Sequence, residues 1–206
     1  MEQNRFNQTS PSIGISVRLA ESPEEIRAAQ QLRYQVFAQE LGADIQNEEG
    51  LDIDAYDAHC RHLLAFDTGT GEVIGCYRLL TAEGAAAVGA WYSASEFDLS
   101  PLADILPQTV ELGRACIHPD YRNGGTVMLL WAGLVKFMRD AGLRFMTGCG
   151  SISTRDGGHE AAGLYQELQQ KHLCPPEWRV RPLNPLNWPV LTPKENPECP
   201  TLIKGY

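Results

Sequence analysis

No apolar stretch of this sequence approaches the roughly 20 residues that a helix needs to cross a bilayer. The opening segment, MEQNRFNQTSPSIGIS, is polar and lacks the apolar middle of a secretory signal. Residues 1–14 read as a flexible tail before the first strand, and the cytoplasm is the expected compartment. Cysteine occurs six times but never as C-x-x-C, which disfavours a zinc ribbon or a thioredoxin-type pair. Cys76, Cys116 and Cys149 sit in apolar, strand-like runs and read as small buried hydrophobes. The Walker G-x-x-x-x-G-K-[ST], the dinucleotide G-x-G-x-x-G and the hydrolase G-x-S-x-G are all missing. Positive charge is scarce in the first half. Residues 1–110 carry 6 Lys+Arg against 17 Asp+Glu, a net −11, whereas residues 111–206 carry 11 against 9, a net +2. Nucleic acid is a poor partner for so acidic a half. The dispersed cations Arg122, Lys136, Arg139, Arg144, Arg155 and Lys171 suit either an acidic protein partner or plain solvation.

What is present is an alternation of short strands and amphipathic helices over 206 residues, enough for one α/β domain over 15–206. Ser22-Pro23-Glu24-Glu25 is a helix start with a capping serine and a proline at the first position. Ile26, Ala29, Leu32, Val36 and Phe37 continue its apolar face towards Leu41-Gly42. An acidic loop follows from Asp44 to Asp57. His62–Phe66 and Val73–Leu80, joined by Thr68-Gly69-Thr70-Gly71, read as a hairpin. Strands are expected at 16–19, 108–118 and 144–149, and helices at 125–141 and 158–172. The proline-rich remainder breaks any long element, with Trp178–Arg181 open to a strand reading.

The most informative stretch is VELGRACIHPDYRNGGTVMLLWAGLVKFMRD, residues 110–140: strand, glycine-rich turn, helix. Backbone N–H groups of such a turn and of the following first helical turn can cradle a phosphate. Gly124 and Gly125 admit close approach and positive φ, and Thr126 is placed to cap the helix. A plain helix-entry turn accounts for R-N-G-G equally well. Charged residues fall where half-burial is expected: Arg33 with Phe37 one helical turn on, Asp52, Asp54 and Asp57 in one loop, and Arg78 in a strand. Glu111 and Arg114 lie three apart in a strand, so they point to opposite faces unless a bulge intervenes. Buried charges must be paired, and this set suggests a network. The D-x-D triplet does not complete a calcium loop, and His59 and His62 have no third partner, so no metal is expected.

These motifs give the chain a resemblance to the GNAT superfamily, and within it to the L-ornithine N-acyltransferases of ornithine-lipid synthesis. The segments that carry it are LRYQVFAQELGADI, GLDIDAYDAHCRHLLAFD, VIGCYRLL, VELGRACIHPDYRNGGTVMLLWAGLVKFM and GCGSIS. The related acyl-homoserine-lactone synthases share a sparser skeleton: Arg33 and Phe37, Asp54 and Asp57, Arg78, and Glu111 with Arg114. The resemblance implies a mixed central sheet flanked by helices and splayed where a pantetheine arm enters. The donor would be an acyl-phosphopantetheine on acyl carrier protein, with no permanently bound cofactor. Its phosphate would rest on Arg122, Asn123, Gly124, Gly125 and Thr126. A bulge near Cys116 and Ile117 would aim a backbone N–H at the thioester carbonyl. Arg33, Phe37, Asp54, Asp57, Arg78 and Arg114 would hold L-ornithine and the local fold.

Amide formation needs a neutral amine, so a carboxylate base is useful. Glu111 is the candidate, its apolar strand favouring the uncharged acid. The lipid product implies peripheral contact with the inner membrane. The resemblance also implies a segment beyond Lys204-Gly205-Tyr206, so an incomplete acceptor pocket is expected. Two other readings stand beside this one: acylation of another amino acid or cyclisation of S-adenosylmethionine to a homoserine lactone, and a non-catalytic acyl-carrier-binding protein.

Overall fold

The computed structural model describes residues 14–122, 124–186, 190–200, 203 and 204. The tail over 1–13, Asn123, Gly205 and Tyr206 lie outside the described residues. Seven strands and four α-helices are described: β1 (Ile15–Leu19), α1 (Pro23–Tyr34), β2 (Arg61–Asp67), β3 (Val73–Thr81), α2 (Ala82–Val88), β4 (Phe97–Asp98), β5 (Thr109–Ile117), α3 (Gly125–Asp140), β6 (Phe145–Thr147), α4 (His159–His172) and β7 (Arg181–Pro182). The principal sheet has the order β1-β2-β3-β5-β6. Its β1/β2 and β2/β3 pairs are antiparallel, and β5/β6 is parallel. β4 and β7 form a separate two-residue ribbon.

The described residues fall into two compact units, those within 14–80 and 112–143 and those within 81–111 and 144–204. In the first, α1 starts as the sequence suggests, with Ser22 Oγ accepting from the Glu25 N–H at 3.3 Å. A π-helical turn, Gln35–Glu40, then continues it. β2 and β3 are buried on both faces, which explains why they read as continuous apolar runs. Side-chain alternation splits β2 between the two helices. Leu64 and Phe66 join Ala29, Leu32 and Val36 of the α1 region, together with Cys76 and Cys116. Leu63 lies on the α3 side, beside Gly133. Gly133 matters because any Cβ there would come within 2.7 Å of Val17 and 3.3 Å of Leu63.

In the second unit, β5 and β6 pair over three residues, ending at Glu111↔Thr147. β6 is therefore shorter than the strand expected over 144–149. The segment 84–106 holds α2 and 3₁₀ turns at Tyr92–Ser95 and Ser100–Leu102. Trp178 ends a 3₁₀ turn rather than opening a strand, which begins only at Arg181. Among the described residues no helix is long and apolar enough to cross a membrane.

Candidate functional site

Six of the charged residues singled out in the sequence meet: Arg33, Asp52, Asp54, Asp57, Arg78 and Arg114. Arg33 Nε donates to Asp52 Oδ2 at 2.9 Å, and Arg33 Nη2 to Asp57 Oδ1 at 2.8 Å. Arg78 Nη1 reaches Asp54 Oδ1 at 2.6 Å and Asp57 Oδ2 at 3.3 Å. Arg114 Nε reaches Asp52 Oδ2 at 2.9 Å and Nη2 reaches Asp54 Oδ2 at 3.3 Å. Each arginine thus bridges two aspartates and each aspartate two arginines, closing a ring of alternating charge within the first unit.

The loop geometry explains how three aspartates converge. Asp54 accepts from the Tyr56 N–H, and Asp57 accepts from the Asp54 N–H, folding 54–57 tightly into the 3₁₀ turn Asp57–His59. Asp52 is anchored by its N–H to Gln30 O on α1. Arg114 reaches the ring from a left-handed backbone (φ 50°), costing about 1–2 kcal/mol for a residue with a Cβ. This breaks the simple alternation of β5 between Glu111 and Arg114 and lies two residues before the bulge expected at Cys116 and Ile117.

Burial grades the ring. The side chains of Arg33, Asp52, Arg78 and Asp57 are at most 6% exposed, whereas those of Arg114 and Asp54 are about a quarter exposed. Burial works against the charge of Arg33, but Asp57, Cys76 and Asp52 outweigh it and hold its pKa above the usual value. Asp54 is likewise held below the ordinary carboxylate range: burial opposes its charge, and Arg78, the Tyr56 N–H and Arg114 more than compensate. Phe37 stays outside the ring and packs, half-buried, on the α1 core.

At the glycine-rich turn, α3 begins after Gly124, whose φ of 87° requires glycine and whose position brings no side-chain cap. A Cβ there would meet no atom within 4 Å. Thr126 is not the cap. It lies buried inside the first turn, with Oγ1 donating to Tyr121 O at 2.9 Å, because the left-handed Gly124 already turns the chain into the helix. Arg122 folds back. Its Nε donates to Ile117 O at 2.9 Å, and its Nη2 pairs with Glu40 at 2.6 Å. Lys136 and Arg139 share Asp140, and Lys171 pairs with Glu167, so Arg122, Lys136, Arg139 and Lys171 among the dispersed cations each carry an acidic neighbour.

Glu111 belongs to the second unit, and its surroundings are not apolar. It is 3% exposed and accepts the Tyr92 N–H at Oε2 and the Ser93 N–H at Oε1, both at 2.7 Å, as well as the Ser93 hydroxyl at Oε1. The carboxylate caps the 3₁₀ turn Tyr92–Ser95, a partnership between residues 18 and 19 apart that no local spacing announces. Cys116 is buried against Cys76, Sγ to Sγ 3.5 Å. The contact with Cys76, and burial, push the Cys116 thiol well above its ordinary pKa, which suits a core residue rather than a nucleophile.

Residues 32–132 match the model of the acetyltransferase (GNAT) domain. The chain is 39% identical to the L-ornithine N(alpha)-acyltransferase of Rhizobium meliloti (strain 1021), over 93% of this chain and 71% of that one. It is 36% identical to the enzyme of the same name from Rhodobacter capsulatus, over 82% and 68% respectively. Among solved structures it is similar to the CoA-dependent acyl-homoserine lactone synthase BjaI. The TM-score is 0.55, at 21% identity over 72% of each chain, a likeness of fold.

Proposed function

The chain belongs to the L-ornithine N(alpha)-acyltransferase family and carries its GNAT domain, and from that premise we propose that it acylates the α-amine of L-ornithine from a phosphopantetheine thioester borne by acyl carrier protein. The observation that carries the reading is the match to acyltransferases of that name along nearly the whole chain. The acyl group is a long 3-hydroxy fatty chain, and the lipid product brings peripheral contact with the membrane.

Gly124, Gly125 and Thr126 present the first turn of α3 to the donor phosphate, a positive dipole end suited to an anion. Arg122 reaches the same phosphate once it exchanges Glu40 for it. Arg114 and Asp54 are the solvent-facing members of the ring, so they meet the acceptor: a guanidinium for its carboxylate, a carboxylate for an ammonium. The four buried members hold those two in place. Glu111 is the general base. Three of its roughly four acceptor sites are filled, which leaves one on Oε2. The proton leaving the ornithine ammonium passes to Oε2, directly or through one water. The freed electron pair attacks the thioester carbon, a backbone N–H steadies the oxyanion, and collapse breaks the C–S bond. The departing thiolate takes that proton from Glu111, and the attacking nitrogen gives up its second proton to the freed carboxylate and on to solvent, leaving a neutral amide. No covalent enzyme intermediate is required.

The test is incubation with 3-hydroxyacyl carrier protein and a pool of amino acids, read by mass spectrometry. N-acylornithine is the expected product. An amide on another amino acid, or a lactone from S-adenosylmethionine, would replace the acceptor. No acyl transfer at all would favour a carrier-binding protein without catalysis.

A further inference from the structure

We propose that Ser93, backed by Cys149, is a positioning residue that directs the proton in this reaction to Oε2 of Glu111; this rests on Glu111 as the base. Ser93 is 3% exposed, and it fills Oε1 twice, with its N–H and with its hydroxyl. A carboxylate rotates readily about its terminal torsion, so an unfilled Oε1 would offer a second, differently placed site to the proton. A hydroxyl, however, has one proton and can spend it elsewhere. Here Cys149 Sγ–H donates to Ser93 Oγ at 3.3 Å, occupying an acceptor site of that oxygen and leaving its own O–H for Glu111. The three groups form one directional chain, Cys149 to Ser93 to Glu111, inside the second unit. Cys149 stands at its exposed end. Loss of hydration around its sulfur pushes the Cys149 thiol above its ordinary pKa despite the Ser93 contact, so it remains a donor at neutral pH. Nothing in the sequence links these positions, which come from a 3₁₀ turn, β5 and the segment after β6.

Steady-state kinetics of Ser93→Ala test this, with kcat followed against pH and the melting temperature read in parallel. The expected result is a kcat about tenfold lower, with KM for ornithine and for the acyl carrier protein within about twofold of wild type. The acidic limb of the kcat profile moves to higher pH, because a carboxylate that loses a donor is neutralised more easily. Cys149→Ala moves the limb in the same direction by less. A wild-type kcat, or a reduced kcat with the limb unmoved, would overturn the proposal, the latter exposing a purely structural loss. If Ser93→Ala does not fold, Cys149→Ala decides alone: a displaced limb supports the chain and an unmoved one refutes it. Glu111→Gln, assayed alongside, separates the two levels. Full turnover in Glu111→Gln removes the base itself. A loss of roughly 10²-fold there, with Ser93→Ala unaffected, removes only the role of Ser93.

Discussion

Arg33, 1% exposed at its side chain, has one nitrogen, Nη1, with no hydrogen-bond partner among the described residues, so its charge depends on Asp52 and Asp57. Removing one member of such a buried pair strands the other, at about 3–5 kcal/mol. Asp57→Asn, which weakens the hold on both Arg33 and Arg78, should therefore lower the unfolding free energy read from urea titration by an amount in that range. Asp54, a quarter exposed at its side chain, should behave differently. Asp54→Asn costs less stability and instead raises KM for ornithine several-fold. Equal loss of stability in the two variants would show that the ring has no substrate-facing side. Arg122 and Glu40 lie at the opposite extreme, 40% and 37% exposed, where a pair contributes at most about 1 kcal/mol. In the proposed reaction Glu40 competes with the donor phosphate for that guanidinium. Glu40→Gln should tighten acyl-carrier-protein binding several-fold with little change in melting temperature. Weaker binding would mean that Glu40 orients Arg122 rather than occupying it.

The two long helices α3 and α4 carry interior glycines, Gly133 and Gly163, that propensity alone would disfavour by about 1 kcal/mol each, and packing explains both. On α3, Gly133 lets the helix close on Val17 and Leu63. On α4, a Cβ at Gly163 would run into the backbone carbonyl of Lys194, which is itself tied down by its N–H to His159 O at 2.9 Å. Side-chain methyls can shift, but a hydrogen-bonded backbone cannot. Gly163→Ala should lose about 1–3 kcal/mol by chemical denaturation, and Gly133→Ala clearly less, since alanine recovers helix propensity. The start of α3 offers a functional test. Gly125 is exposed in the first turn, so Gly125→Trp should leave the fold intact and abolish donor binding. Undiminished binding would place the phosphate elsewhere.

At the scale of the whole molecule, two titrations within the first unit shape the response to acid, those of the buried His62 and the partly exposed Asp54. Burial above all, with Arg33 and Arg78 adding, holds His62 below its ordinary pKa despite Asp57. The unfolded chain takes up that proton near pH 6.5 while the fold resists it, so this stability is complete above about 6.5 and drains as pH falls below it. Asp54 is depressed as well. Its contribution is present above the unfolded value near 4 and is lost as pH falls through the lower folded value. The urea midpoint should be flat from pH 8 to 7, decline below about 6.5 and fall again below about 4. His62→Gln should erase the first decline only. The secondary elements were legible because periodicity and capping are local: Ser22-Pro23, the Thr68–Gly71 turn, and the apolar face of α3. The membership of the ring was half legible. Arginines and aspartates in apolar company must find partners, but spacing could not say that Asp52 closes the circle or that only Arg114 and Asp54 face water. The partners of Glu111 were not legible at all. Hydrogen bonds to the amides of Tyr92 and Ser93 follow from how distant segments of the chain meet, and backbone donors carry no side-chain signature. Local chemistry therefore determined the family of fold and the inventory of charges, while tertiary folding alone decided which charges are sealed, which are exposed, and which oxygen of Glu111 is left open.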